Sequence, residues 1–395
     1  MWSGQEVVHM VNTLAFIQGI KRMAKMRKKS GFTLIELLVA MGIVSLLGIV
    51  IVQSYVVSDQ LSKLTGINAS FVKGVSSFQS YMRYLSTNAG ASLIPEDAIR
   101  TYSNISCSSP PDAFIQALCG ANSSARPVDG TDVVVFVYGL PFTGPTKSDY
   151  ARFAAQVVST TGNTFTLANN SPLLPVVNAG APYVNYYYGH AFMVYDMNNP
   201  GNSMIGYIRQ NGLVKVGNQV RVTYANSSYP FNTASIASMV GGNAKMVMVD
   251  VETVYLDENG NVIVAFYVYN SGNGNESLVQ RAIANNVEAM NIKYYDSVNN
   301  TWVDGIGAGV TARNLTRIKI GLAFTGYFAS GKKCTGKYYD NYQVNLLGEN
   351  FNVHVFHKNG ERRYRYNDPC SILKIVTLEF PLKSIISMTA ALARR

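Results

Sequence analysis

One uninterrupted apolar run, from Phe32 to Val57, constrains this chain more than any other feature of its sequence. The run holds 26 residues, no proline and one charged side chain, Glu36. As a helix it would be about 39 Å long, and a bilayer core requires only about 20 such residues, so the run predicts a membrane span. Six Lys or Arg side chains lie in the eleven residues before it. They predict that this end stays in the cytoplasm while everything after Val57 is exported.

Two other kinds of export segment do not fit the run. A cleaved secretory signal has an apolar core of about 7–15 residues followed by a small-residue cleavage site. This run is longer than that, and the sequence at its end, SYVVSDQ (residues 54–60), does not read as such a cleavage site. No cysteine lies near it, which excludes a lipoprotein anchor. An ordinary N-terminal anchor on a periplasmic enzyme or binding protein remains the plain alternative.

The formal charge of +10 is not a nucleic-acid footprint. Residues 1–31 carry six basic side chains and one acid, Glu6, whereas the other 364 residues carry 27 basic and 22 acidic groups. A surplus spread that thinly over the exported part does not make a phosphate-binding surface.

Glu36 is the unexpected residue of the span. A carboxylate in an apolar helix costs on the order of 3 kcal/mol near the membrane centre and less near its boundary. The only partners that the sequence offers nearby are the basic side chains upstream, which must stay at the cytoplasmic headgroups. The position therefore favours pairing with a positive charge on another subunit.

The segment KKSGFTLIELLVAMGIV resembles the class III signal of type IV prepilins and of type II secretion pseudopilins. The resemblance implies that a prepilin peptidase cuts between Gly31 and Phe32 and methylates the new amino terminus. It also implies that Glu36 becomes the fifth mature residue and faces the terminal amine of a neighbouring subunit during assembly. The implied partners are the peptidase, other pilins or pseudopilins through the N-terminal helix, and an inner-membrane assembly platform.

The leader implied by this resemblance is 31 residues, which is long for the family. Residues 26–31 alone would make an ordinary leader, so we expect the true start at Met23 or Met26 and treat residues 1–22 as a mis-assigned extension.

A second helical pattern follows the span, over residues 58–90. Apolar residues recur there at alternating spacings of three and four, with Asn68 as the one polar member, and so predict one helix face. We interpret this stripe as packing on the sheet of the same chain, with coiled-coil pairing as the alternative, and expect the helix to stop near Asn88–Gly90. Its members are Leu61, Leu64, Asn68, Phe71, Val75, Phe78, Met82 and Leu85.

Residues 91–395 read as short strands separated by clusters of Asn, Gly, Ser and Pro. Asp257–Gly260 (DENG) predicts a hairpin turn, and Asn299–Asn300 predicts another. A leader, one long helix and then many antiparallel strands describe an α+β fold with the helix laid on the sheet, as in pilins. We expect one elaborated β-rich domain, with two lobes as a variant.

Several later segments resemble minor pilins of the PilW type and J-type pseudopilins. They are residues 130–139, 206–217, 287–305, 315–322 and 362–380. The exported part, more than 300 residues, is also larger than that of most major pilins.

The four cysteines fit an exported protein, because an oxidising compartment favours disulfides. Proximity in the sequence favours pairing Cys107 with Cys119 and Cys334 with Cys370. The two other connectivities and four reduced thiols stay open, whereas the spacing does not fit a zinc site.

The sequence offers little for catalysis or metal binding. No nucleophile-elbow, zincin or phosphate-loop motif occurs. His354 and His357 would point to opposite faces of a strand, so no metal ligand is predicted. The loop Asn270–Glu276 could hold calcium through oxygen ligands, although solvated turns explain it better. Tyrosines cluster at 186–188, 294–295 and 338–339, as strand surfaces or as an adhesive patch.

These observations favour a non-enzymatic minor pilin or pseudopilin, with no cofactor. Two rivals from other classes stay open: a surface adhesin or ligand-binding module that uses the pilin signal for display, and an anchored periplasmic enzyme. Sequence alone does not separate a pilus, a secretion pseudopilus and a DNA-uptake fibre.

Overall fold

The computed structural model describes residues 33–93, 95–120, 125–142, 154–199, 201–240, 243–307, 309–327, 343–352, 357–358, 361–362, 371–383 and 385. The chain divides into two compact units, Met1–Thr65 and Gly66–Arg395. The first unit contains, in its described part, the apolar start of helix α1. The second contains the end of that helix and every described strand.

Helix α1, Leu34–Asn88, joins the two helical patterns of the sequence into one element of 55 residues. It ends where the sequence predicts, at Asn88, and Gly90 follows with φ +77°, a conformation that favours glycine. Among the residues described, the α-helices that follow α1 are short: α2, Ala113–Gly120; α3, Leu173–Ala179; α4, Tyr183–Tyr187; and α5, Ile236–Val240.

Eighteen strands are described, and all of their pairings are antiparallel. They are β1 Ile99–Tyr102, β2 Val133–Leu140, β3 Ala155–Thr161, β4 Thr164–Leu167, β5 Ala191–Asp196, β6 Ser203–Val216, β7 Gln219–Asn226, β8 Ala244–Leu256, β9 Val262–Asn270, β10 Asn275–Ala284, β11 Val287–Asp296, β12 Thr301–Val303, β13 Leu315–Tyr327, β14 Gln343–Leu346, β15 Glu349–Asn352, β16 His357–Lys358, β17 Glu361–Arg362 and β18 Ser371–Pro381. The predicted α+β class is thereby confirmed.

Ten of these strands form one large sheet that is organised around β8. Its order is β1-β2-β8-β3-β4-β7-β6-β5, and β9 and β10 are attached through β8. Because β8 also pairs with β5, the six strands β3 to β8 close into a ring. Apolar side chains such as Phe165, Phe192 and Met246 form a cluster among these strands.

A second sheet, in the order β12-β11-β13-β18, shares a core with the large sheet and the end of α1. Phe78, Met82 and Leu85 of the predicted stripe are fully buried in that core, so the stripe packs on the chain's own sheets as predicted. Leu61, nearer the apolar run, is 63% exposed. The buried part of the stripe therefore begins later than the pattern does.

Asp132, at the start of β2, ties the two sheets together. One carboxylate oxygen accepts a hydrogen bond from the backbone N–H of Ile292 on β11 (2.7 Å), and the other accepts one from Asn104 (3.0 Å). The side chain is only 6% exposed. Burial raises the pKa of Asp132 to about 6, although the two N–H donors act against this rise.

Candidate functional site

The start of α1 is closed by Thr33 and Glu36. The Thr33 hydroxyl oxygen accepts a hydrogen bond from the Glu36 backbone N–H (3.3 Å). Glu36 Oε2 accepts in return from the Thr33 backbone N–H (3.1 Å) and from the Thr33 hydroxyl (3.2 Å). This reciprocal arrangement is a capping box, which satisfies backbone donors that a helix start otherwise leaves without partners.

The capping box corrects one step of the sequence reasoning. We name above only the upstream cations as nearby partners for Glu36, but Thr33 is a partner within the same turn. The signal was present in the sequence, because Thr33-Leu-Ile-Glu36 has the Thr-x-x-Glu spacing of a capping box. The N-terminal end of a helix also favours a negative charge.

The residues that follow the cap form the apolar span. Residues Leu34–Asp59 are the one stretch in the described part of the chain that is long and apolar enough to cross a membrane, with a mean hydropathy of 2.7. Its side chains are exposed throughout, for example Leu34 at 75% and Val44 at 67%. Exposed apolar surface of this extent needs a lipid or protein environment to cover it.

The predicted cleavage point lies immediately before this cap. Gly31 and Phe32 fall outside the described residues, as does the basic leader, so the expected cleavage and methylation there stay predictions. Thr33, which would be the second mature residue, is the first residue described.

The cysteines divide between described and undescribed parts of the chain. Cys107 and Cys119 form a disulfide, with their Cα atoms 5.4 Å apart. It joins the loop after β1 to α2, whose Phe114, Ile115 and Leu118 pack on the opposite face of the large sheet from α1. Cys334 and Cys370, predicted as the second pair, lie outside the described residues.

The loop considered for calcium is the turn between β9 and β10. Its Glu276 accepts hydrogen bonds from the hydroxyls of Tyr207 (2.6 Å) and Ser228 (2.5 Å). Among the described residues no group of three or more His, Cys, Asp or Glu side chains is placed to hold a metal ion. His354 lies outside those residues, and His357 is placed in β16.

The tyrosine clusters are placed differently from one another. Tyr187 and Tyr294 are buried in the core, whereas Tyr186 is 52% exposed and stacks on His190 with 4.7 Å between ring centroids. Tyr295 packs against Trp302 and lies under the Arg317 guanidinium, on the four-stranded sheet. Residues 338–339 are outside the described part.

The start of α1 lies within a segment that matches a known family profile. The profile of the prokaryotic N-terminal methylation motif matches residues 26–52, which include the Gly31–Phe32 bond, the capping box and most of the apolar span. No curated protein matches the chain. The chain therefore carries a type IV pilin-like N-terminal signal, and its one described apolar helix of membrane-spanning length fits an anchor of that type. The motif implies processing by a prepilin peptidase and assembly with other pilins.

Proposed function

We propose that this protein is a minor pilin or pseudopilin, a non-enzymatic subunit that joins or primes a type IV pilus-like filament. Its leader is removed after Gly31, and the new amino terminus on Phe32 is methylated. The observation that carries the proposal is the methylation motif at residues 26–52, on a helix whose far end is part of the core of a globular unit.

The exposure of the span supports assembly as well as anchoring. The apolar side chains of Leu34–Asp59 are exposed in the described part of the chain. Lipid covers them before assembly, and equivalent helices of neighbouring subunits would cover them in a filament core. A plain anchor needs the apolar length and a helix cap, and an uncharged glutamine would also close that cap. The negative charge of Glu36 supports the further role that we propose for it, pairing with the terminal amine of another subunit.

The disulfide supports export of the globular unit. Disulfides persist in oxidising compartments, and Cys107–Cys119 lies in the unit that follows the span. We therefore place the N-terminus in the cytoplasm, the span in the inner membrane, and the unit in the periplasm or at the cell surface. An inner-membrane assembly platform is the expected further partner.

The finer assignment to PilW-type minor pilins or J-type pseudopilins rests on later segments of the chain. Four of the resembling segments correspond to strands β2, β6, β11 and β13, which are central to the two sheets. Their position supports a shared architecture, and the size of the exported part supports a minor rather than a major subunit.

Mass spectrometry of the mature amino terminus tests the proposal. The full chain is produced together with a prepilin peptidase, and we expect a protein that begins at Phe32 with one methyl group on its terminal amine. Gly31→Leu should leave the precursor uncut, because a peptidase must approach this backbone closely. Gly42→Ala is the matched control, because a methyl group at Gly42 meets nothing within 4 Å. A mature protein that keeps the leader would reduce the chain to a tethered protein and overturn the proposal.

A further inference from the structure

The large sheet divides at β8. Residues Thr253–Leu256 of this strand pair with β9, whereas Ala244–Met248 pair with β5 on the same side. Between these two stretches, residues 249–252 pair with β2, and among the described strands none pairs with their other side. Beyond Ala265, β9 continues beside β10 and leaves β8. The divergence opens a cleft in the sheet.

A buried tyrosine spans the divergence between β8 and β9. The Tyr229 hydroxyl donates to the Val251 carbonyl on β8 (3.1 Å) and accepts from the Tyr267 backbone N–H on β9 (2.8 Å). Tyr229 is 4% exposed. Its phenol takes the place of a direct strand-to-strand hydrogen bond, so the backbone groups at the cleft are satisfied while the strands stay apart.

Aromatic side chains line the cleft, which has a volume of about 500 Å³. Tyr188 and Phe266 are half-buried there, and Tyr188 also packs against the cluster that contains Phe165 and Phe192. Gly189, beside Tyr188, has φ +84°, and a Cβ at this position would lie 2.7 Å from the Tyr269 carbonyl oxygen. Tyr188 and Phe266 both contribute apolar surface to the wall of the cleft.

Groups of opposite hydrogen-bonding character share the same cleft. Asp250 and Glu252 come from one face of β8, and Arg281 comes from β10. Glu252 accepts hydrogen bonds from the hydroxyls of Tyr81 (2.5 Å) and Tyr138 (2.9 Å). Within the described part of the chain, none of the three charged groups forms an ion pair within 4.0 Å.

We propose that this cleft binds a neutral sugar residue. Carboxylates only accept hydrogen bonds and a guanidinium only donates them, whereas each sugar hydroxyl does both. An organic cation would face Arg281, and an organic anion would face Asp250 and Glu252. A neutral polyol uses all three groups, and the C–H face of its ring packs on aromatic rings. The cleft volume lies within the range of small-ligand sites, about 300–1,000 Å³.

Calorimetric titration of the full-length protein with sugars tests the proposal. The protein is kept in a detergent without a sugar headgroup, because a glycosidic detergent would compete for the cleft. The probes are glucose, galactose, mannose, N-acetylglucosamine and the β1,4-linked disaccharides of glucose and N-acetylglucosamine. We expect saturable binding of at least one probe, with a Kd on the order of 1 mM or below.

Variants locate the binding in the cleft. Tyr188→Ala and Asp250→Ala should each weaken binding by about tenfold, whereas Tyr188→Phe, which keeps the ring, should stay within about twofold of the parent. Tyr295→Ala removes a tyrosine from the other sheet and should change nothing. The thermal unfolding midpoint of each variant identifies any loss that comes from misfolding, and Arg281→Gln gives a second probe of the polar contacts.

Three results would each overturn the sugar site. They are no saturable heat with any sugar, binding that Tyr188→Ala leaves intact in a folded protein, and binding of phosphocholine in the absence of sugar binding. The outcome does not depend on filament assembly, because the cleft lies entirely within the unit Gly66–Arg395.

Discussion

Glu36 closes the capping box with Thr33, and we propose that its charge also pairs with the terminal amine of a neighbouring subunit. A pair of variants at the helix start can distinguish these two roles. A glutamine at the same position can still close a capping box but carries no charge. Glu36→Gln therefore removes the proposed ionic contact alone, whereas Thr33→Val removes the hydroxyl of the cap and keeps the carboxylate.

The expected magnitudes differ enough to decide between the roles. Loss of an N-cap side chain costs about 1 kcal/mol, and α1 has 55 residues whose backbone bonds hold it together, so Thr33→Val should assemble nearly normally. Removal of one partner from a buried ion pair costs about 3–5 kcal/mol. A loss of about 3 kcal/mol corresponds to a weakening of roughly 100-fold or more. Glu36→Gln should thus insert and mature normally but be nearly missing from filaments.

The assay compares membrane and sheared-filament fractions by quantitative immunoblot in cells that lack the parent protein. Asp59→Asn is the matched control, because Asp59 is the other acidic residue of α1 and lies at the far end of the span. Normal incorporation of Glu36→Gln would refute the ionic contact. Equal defects in Glu36→Gln and Thr33→Val would show that the cap alone is what assembly needs.

Three further predictions concern the globular unit. Replacing both Cys107 and Cys119 by serine should lower the free energy of unfolding by about 3 kcal/mol, because the disulfide closes a loop and so restricts the unfolded chain. A denaturant titration measures this loss, and an unchanged unfolding midpoint would contradict the prediction. Since the pKa of Asp132 is about 6 in the folded protein and near 3.8 when unfolded, its contribution to stability should rise as pH falls from 7.5 to 5. Asp132→Asn should flatten that part of the pH profile, and an identical slope would speak against it. Gly189→Ala should cost about 1–3 kcal/mol in thermal unfolding, because its Cβ would meet the Tyr269 carbonyl, and a neutral effect would show that the close approach can relax.

Much of the strand pattern was predictable from local sequence. The turn Asp257–Gly260 was predicted and is confirmed, because the Asp257 carboxylate accepts from the backbone N–H groups of Asn259 (3.0 Å) and Asn261 (2.6 Å) and fixes the hairpin locally. The hairpin predicted around Asn299–Asn300 is also confirmed, as the pairing of β11 with β12. Its two strands are close in sequence, so the turn between them was a sufficient signal.

The missed elements are those that tertiary contacts decide. Strand β10 was not predicted, because half of its sequence NESLVQRAIA is polar and, among the described strands, it pairs with β9 alone. Strand β6 runs on to Val216, past a register shift opposite β7 that lies at Asn211–Gly212, where Asn211 has φ +57°. The ring of six strands depends on a change of partner along β8, which is a property of the assembled sheet.

The candidate functional residues also divide into those that a local motif predicts and those that only the folded chain brings together. The Gly31, Phe32 and Glu36 predictions rest on a contiguous motif, and the family profile over residues 26–52 supports the motif itself. The cleft was beyond sequence reasoning, because it brings together Tyr188, Asp250, Phe266 and Arg281 from separate elements. In the sequence, the spacing of Asp250 and Glu252 indicates only that two acidic side chains lie on one face of a strand.

The joining of α1 to the last strand has a consequence for biogenesis. The Lys374 ammonium group on β18 donates a hydrogen bond to the Asn68 side chain, 306 positions earlier in the chain, and Phe380 packs in the same cluster as Phe78. Contacts this distant in sequence cannot form until Lys374 has been synthesised. In the topology that we propose, the membrane segment is therefore inserted long before its partner strand emerges, and the growing polypeptide must be shielded from aggregation throughout that interval.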